Sequence, residues 1–275
     1  VTTTAITAPS VSGAPLATSV GAKLRWAVSD TLTITKRNLL AILRIPEQLF
    51  FSTVQPIMFV LLFTYVFGGA IKVPGTDYVN YLMPGIFVQT VAFGAVSTSI
   101  GLAEDLQKGL IERFRALPMA RSAVLTGRTT ADMVRNVFTV IIITGVGLAV
   151  GFRPTTGALA YTAGILLILL FAYSLSWGFA VIGLSAPNAE AAQVMSFPIL
   201  FPLTFISSAF VRVDTMPSWL QGFATYQPVS VTVSACRALM LGGPTSKWVI
   251  QTLAWTIGFL ILLIPLAVRR YRNRT

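Results

Sequence analysis

Trp248-Val-Ile-Gln-Thr-Leu-Ala-Trp-Thr-Ile-Gly-Phe-Leu-Ile-Leu-Leu-Ile-Pro-Leu-Ala-Val268 runs for 21 residues between Lys247 and Arg269 without a charge. At about 1.5 Å of rise per residue, such a run crosses a hydrocarbon layer of about 30 Å. A charge near its middle would cost roughly 2.5–3.5 kcal/mol on insertion scales, so charge-free intervals locate spans. Five more occur: 24 residues from Glu47 to Lys72, 26 from Asp77 to Glu104, 17 from Arg135 to Arg153, 36 from Arg153 to Glu190 and 21 from Glu190 to Arg212. The expected fold class is an all-α membrane protein with six transmembrane helices, at about 48–70, 80–103, 134–152, 159–184, 191–211 and 248–268.

Composition agrees with this reading. Of 275 residues, 55% are hydrophobic and 11% charged, against roughly 25% charged in a soluble domain; the mean hydropathy is +0.77. The chain has no His and one Cys, which excludes a His acid/base, a Cys/His zinc site and an internal disulfide. No catalytic residue and no metal ligand set is expected.

The stretch from Thr215 to Cys236 is also uncharged, but Pro217, Ser218, Gln221, Gly222, Gln227, Pro228, Ser230 and Ser234 make it too polar to span. It reads as an interfacial or re-entrant hairpin before the last span, with Trp219, Phe223 and Tyr226 at headgroup depth.

Six spans put both termini on one side. Fifteen basic residues then share that side: Lys23, Arg25, Lys36, Arg37 and Arg44; Lys108, Arg113, Arg115, Arg121, Arg128 and Arg135; Arg269, Arg270, Arg272 and Arg274. Five lie opposite: Lys72, Arg153, Arg212, Arg237 and Lys247. The positive-inside rule makes the fifteen cytoplasmic in a multi-pass plasma-membrane protein, where they meet anionic lipid headgroups. The net charge of +11 therefore belongs to membrane flanks, and nucleic acid is not an expected partner.

Residues 1–22 are rich in Thr, Ala, Ser, Pro and Gly and carry neither charge nor an apolar h-region, which predicts a disordered cytoplasmic tail. Residues 23–45 predict an amphipathic interfacial helix, with Val28, Leu32, Thr35, Leu39 and Leu43 on one face and Lys23, Asp30, Arg37 and Arg44 on the other. The transmembrane domain then occupies 46–268, and 269–275 form a basic cytoplasmic tail.

The densest charge lies between the second and third spans, in Glu104-Asp-Leu-Gln-Lys-Gly-Leu-Ile-Glu-Arg-Phe-Arg-Ala-Leu-Pro-Met-Ala-Arg121. Leu106, Leu110, Phe114 and Leu117 form an apolar stripe, Lys108 and Glu112 are spaced to pair, Gly109 weakens the middle and Pro118 ends the helix. A charged helix over 104–118 of this shape either docks into a groove on a cytoplasmic partner or presents a solvated face.

The same segment resembles the signature of ABC-2 type transporter permeases, in the branch similar to daunorubicin-resistance drug-export permeases. The matching positions are Glu104, Asp105, Lys108, Gly109, Glu112, Arg113, Leu117, Pro118 and Arg121, continuing into Gly127, Arg128 and Asp132. Arg44-Ile-Pro46, Pro56, Tyr65-Val-Phe-Gly68-Gly69-Ala70 and Tyr81-Leu-Met-Pro84-Gly85 extend the resemblance towards the N-terminus. Ser207-Ser208-Ala209-Phe210 with Asp214, Pro217, Trp219, Pro228 and Arg237 extend it towards the C-terminus.

The resemblance implies a transport subunit that works beside a second permease copy or paralogue and draws energy from a separate P-loop ATP-binding subunit. It makes Glu104 to Leu117 the coupling element, with Leu106, Leu110, Phe114 and Arg115 among its docking residues. The absence of any G-x-x-x-x-G-K-[ST] loop fits that division: ATP and Mg belong to the partner, and this chain needs no cofactor. Asn188 and Glu190 either cap the fifth span or make a smaller second contact.

No Asp, Glu, Lys or Arg falls deep within a predicted span, which argues against an ion pump or proton relay. Gln55 and Gln89, together with Ser97, Ser99, Ser174 and Ser176, supply uncharged polarity, and Phe197, Phe201 and Phe205 recur at four-residue steps. These either line a path for a hydrophobic small-molecule or lipid cargo or serve helix packing. The expected function is ATP-driven export of hydrophobic or amphiphilic compounds of drug or antibiotic type. Export of a polysaccharide or complex lipid, a non-transporting scaffold and a membrane enzyme are the alternatives.

Overall fold

A computed structural model describes residues 20–43, 46–71, 73–110 and 123–273. Among these the secondary structure is entirely helical: α1 (Val20–Leu43), α2 (Pro46–Leu61) continuing as a π-helix (Leu62–Phe67), α3 (Tyr78–Gln107), α4 (Ala123–Val150), α5 (Ala158–Ser185), α6 (Ala189–Phe205), a 3₁₀ turn (Val213–Thr215), α7 (Ser218–Tyr226), α8 (Pro228–Leu241) and α9 (Thr245–Asn273).

Four of these, α3, α4, α5 and α9, are long and apolar enough to cross a membrane. They differ in how far protein covers them. The most apolar stretch of α3 is 72% buried and that of α9 only 11%, so α3 is the central post and α9 an outer one. A helix apolar on every side is stable in the middle of a bundle, and α3 packs against α2, α4, α5, α6 and α8. Where α5 crosses α3 the backbones nearly touch, because a Cβ on Gly183 would stand 2.3 Å from the Ser99 carbonyl oxygen.

Helix ends sort into two layers. Leu102, Leu125, Leu184 and Tyr271 share one cluster, which brings together the end of α3, the start of α4 and the ends of α5 and α9. At the opposite end, the Arg153 amide donates to Asn80 at 2.8 Å, and Thr155 and Thr156 bond carbonyls at the end of α8. Helix α4 therefore runs antiparallel to α3 and α5, while α9 runs in the same direction as α5.

Several expected boundaries change. The first interval, 48–70, is helical from Pro46 but switches to a π-helix at Leu62, six residues after Pro56. Gly68 closes it where a Cβ would lie 2.1 Å from the Thr64 carbonyl oxygen. The third begins at Ala123, eleven residues before 134, so Arg128, Asp132 and Arg135 belong to α4 and not to a loop.

The fifth interval, 191–211, ends as a helix at Phe205, giving 17 residues, or about 26 Å. Its stop is built by polar groups. Gln227 donates to the carbonyls of Leu203 and Ile206 at 2.9 and 3.3 Å, and the Ser208 amide donates to Ser230 at 2.9 Å. The freed segment 206–210 is then held by Tyr78, Tyr81 and Arg237, all donating to its carbonyls. This buried irregular backbone is tolerated because side chains satisfy its polar groups. Asn188 caps the other end, accepting from the Ala191 amide at 2.7 Å.

The polar stretch before α9 forms a 3₁₀ turn, α7 and a well-buried α8. Trp219, Phe223 and Tyr226 share an exposed face of α7.

Helix α1 starts at Val20, inside the predicted tail, and packs on α4 through Ile34, Thr35 and Asn38. A Cβ on Gly127 would lie 2.7 Å from Ile34, which shows how closely the two helices approach. Val28 and Leu32 of the predicted apolar face are exposed. Thr35, assigned to the same face, instead turns into α4 and donates to the Gly127 carbonyl at 3.2 Å.

Candidate functional site: a polar-walled cavity between five helices

A cavity of about 920 Å³ lies between α1, α2, α3, α4 and α6. Its apolar wall comes from Pro56 and Phe59 of α2, Phe93 of α3 and Phe197 of α6, with Phe93 and Phe197 edge to face at 6.5 Å between ring centres. Gln55 and Gln89 open onto the same space. Three of the five sequence-predicted path residues therefore meet in one cavity.

The other two do not line it. Phe201 and Phe205 continue the α6 ring series, which runs on through Phe210 to Phe63 of the π-helix at successive centroid distances of 5.5, 5.1, 5.5 and 4.4 Å from Phe197. This part of the stripe packs α6 against Phe93 of α3, 6.0 Å from Phe201, and through Phe210 against the π-helix. The serines also divide. Ser97 lines the cavity, whereas Ser174 and Ser176 bond carbonyls of their own helix and Ser99 meets Ser196 across α3 and α6 at 2.9 Å.

The charged wall was the least expected. Arg128, Asp132 and Arg135 stand four and three residues apart, which places them on one face of α4. Asp132 is fully buried and its carboxylate accepts from Thr98, with Arg135 Nη1 at 3.2 Å and Arg128 Nε at 3.9 Å. Arg128 also donates to the Ser97 carbonyl at 2.9 Å and Arg135 to the Gly94 carbonyl at 2.6 Å.

Helix α3 is hollowed to receive them: a Cβ on Gly101 would lie 1.9 Å from the Arg128 guanidinium, and one on Gly94 would lie 2.6 Å from Asn136 Oδ1. Three residues expected before or at the edge of the third span are thus held within α4, with Asp132 fully buried. The sequence did hold a signal, Gly94 and Gly101 seven apart with Ser97 and Thr98 between them, opposite the Arg-Asp-Arg spacing.

The predicted coupling segment borders the same cavity, but not as one helix over 104–118. Glu104, Asp105 and Leu106 are the last turn of α3, and the chain breaks at Lys108 and Gly109. Gly109 adopts φ +63°, where a residue without a Cβ is at no disadvantage. The stripe is cut there, and Leu106 packs with the cluster around Leu102 and Leu184 instead.

Lys108 pairs with Glu104 at 3.4 Å. Glu104, Asp105, Lys108 and Leu110 line the cavity. Glu112, Arg113, Phe114, Arg115, Leu117, Pro118 and Arg121 lie outside the described residues. Arg37, expected on the charged face of the amphipathic helix, donates to both carboxylate oxygens of Asp105.

The description "ABC-2 type transporter" matches residues 29–241, a stretch containing all five cavity helices from within α1 onward. The chain belongs to the ABC-2 type transporter family. This ABC-2 permease is 36% identical over 248 residues to the daunorubicin resistance ABC transporter permease protein DrrB1 of Streptomyces coeruleorubidus, covering 90% of this chain and 88% of that one. It is 26% identical over 253 residues to the probable doxorubicin resistance ABC transporter permease protein DrrC of Mycobacterium tuberculosis (strain CDC 1551 / Oshkosh), covering 91% of each. To the doxorubicin resistance permease DrrB of that strain it is 30% identical over 204 residues, covering 71% and 70%. Permeases of ABC transporters work with a separate ATP-binding subunit, and the partner kind expected for this ABC-2 permease follows from its family.

Proposed function

We propose that this ABC-2 permease is the membrane-spanning subunit of an exporter that moves hydrophobic or amphiphilic compounds of drug type out of the cytoplasm or the inner leaflet. A separate P-loop subunit, carrying ATP and Mg, supplies the energy. The observation that carries this reading is that one cavity joins the Gln55, Gln89 and Phe197 wall to the Glu104–Leu110 segment. A change imposed on that segment reaches the cargo space directly. The volume of about 920 Å³ lies within the roughly 300–1,000 Å³ of small-molecule sites, which favours a compact cargo over a polysaccharide.

In this reading Glu104, Asp105, Leu106, Lys108, Gly109 and Leu110 form the proximal half of the coupling element. Glu112, Arg113, Phe114, Arg115, Leu117, Pro118 and Arg121 form the half that meets the ATPase. Helices α2 with its π-segment and α6 complete six spans, both termini face the cytoplasm, and the chain sits in the plasma membrane with a second permease copy or paralogue. The sorting of helix ends supports this orientation, since Lys108 and Arg269 to Arg272 collect at one end and Arg153, Arg212 and Arg237 at the other. The α7 face of Trp219, Phe223 and Tyr226 then lies at headgroup depth.

The test is affinity purification of the chain from its native membrane in mild detergent, with mass spectrometry of what accompanies it. A P-loop ATPase in stoichiometric amount, lost on Phe114→Asp while the permease stays inserted, is the expected result. Full vesicular transport by the Phe114→Asp protein would overturn the coupling assignment.

A further inference from the structure

Among the described residues six charged ones line the cavity, and four of them cancel in pairs, Arg37 with Asp105 and Lys108 with Glu104. Arg128 and Arg135 remain, sharing the single carboxylate of Asp132 behind them. Two guanidinium charges against one carboxylate leave one positive charge in a wall where these side chains are only 16% and 11% exposed. A buried charge without its counterpart is unfavourable unless a partner of opposite sign is supplied. Backbone carbonyls of Gly94 and Ser97 accept from the guanidinium groups but carry no net charge. Beside them Asn136 is 3% exposed, lines the cavity and has an Nδ2 group with no hydrogen-bond partner among the described residues. The neighbourhood thus holds surplus positive charge and a spare donor, facing a space whose other wall is Pro56, Phe59, Phe93 and Phe197.

We propose that Arg128 and Arg135, with Asn136 beside them, form a binding site for the anionic group, phosphate or carboxylate, of an amphiphile whose apolar body lies along Phe93 and Phe197. The inference rests on the cavity being the cargo space and gives that cargo a charge. A guanidinium presents paired N–H donors that match the oxygens of either acid. Gly94 and Gly101 serve the same site from α3, since a side chain at either would displace Asn136 or Arg128 from it. The occupant is a resident acidic lipid, an acidic cargo or a free anion, and these share one recognition chemistry.

The full-length chain in phosphatidylcholine nanodiscs is titrated with three probes of one chain length: dodecyl phosphate, dodecyl maltoside and dodecyltrimethylammonium. Uptake by empty nanodiscs is subtracted. Dodecyl phosphate is expected to bind about tenfold tighter than either of the others. Arg128→Gln should abolish that preference and Arg128→Lys should keep part of it. The order of the three probes on the unmodified chain decides the matter even where a variant fails to fold. Equal affinities, or a preference for the cation, overturn the site.

Displacement of dodecyl phosphate by inorganic phosphate supports the site and assigns a free anion. Displacement by phosphatidylglycerol added to the nanodisc assigns a lipid, and resistance to both assigns a cargo. Intact transport without headgroup preference would remove the anion site and leave the exporter standing. A clear preference in a chain that carries no transport would do the reverse.

Discussion

Arg37 of α1 donates from Nη2 to both carboxylate oxygens of Asp105 at 3.0 Å, which ties α1 to the last turn of α3. The pair bridges 68 residues of sequence and stands at the lip of the cavity, one helical turn from the break at Gly109. A movement of the last turn of α3 would therefore be carried to α1 through this pair.

Arg37→Ala should lower transport more than stability. The two side chains are 34% and 11% exposed, so solvent screening limits their worth to about 1 kcal/mol. Vesicular transport per ATP hydrolysed is expected to fall while the melting temperature moves little. The Arg37→Asp, Asp105→Arg double exchange should recover part of the loss, and failure of both single variants to alter coupling would remove the strut.

Asp132→Asn should destabilise the chain far more than its conservative size suggests. The substitution leaves Arg128 and Arg135 without their shared carboxylate inside α3 and α4, a change that costs about 3–5 kcal/mol when a buried partner is removed. Thermal unfolding in detergent reads it directly. A midpoint equal to that of the unmodified protein would mean that water reaches the trio.

Two glycines of α5 separate a close approach to backbone from contact with the flexible tip of a side chain. A Cβ on Gly183 would meet Ser99 backbone at 2.3 Å, whereas one on Gly178 would meet the tip of Leu263 at 3.3 Å. Gly183→Ala is expected to cost about 1–3 kcal/mol by overpacking, and Gly178→Ala to fall within about 0.5 kcal/mol of neutral. Comparable unfolding midpoints for the two would contradict the packing of α5 on α3.

Phe197→Ala removes one wall of the cavity, and Phe201→Ala removes a ring beyond it. The half-maximal cargo concentration for stimulation of the assembled ATPase should rise about tenfold in the first variant and less in the second. The reverse order would move the cargo path onto the outer part of the ring series.

Much of this was legible along the chain because it depends on one residue at a time. Gaps between charges mark apolar helices, since each charge opposes insertion whatever surrounds it, and the helices α5 and α9 lie close to the intervals that predict them. The charged motif after the second interval marked the family for the same reason. Asn188 was readable as a cap because the group it serves is three residues away.

The helical class, the rough positions of the apolar helices and the kinship of the chain were thus written in local stretches of residues. Tertiary structure decided the rest. The early end of α6 depends on Gln227 and Ser230, which reach back from 24 and 22 residues away. Arg128 and Arg135 read as loop charges until α3 supplied Gly94, Ser97, Thr98 and Gly101 against them. Gln55, Gln89 and Phe197 met in one cavity while Phe201 and Phe205 turned to packing, although the spacing of the three rings is the same. A periodicity records which residues share a helix face. What that face meets is set by the other helices, and their contacts are carried by no local pattern.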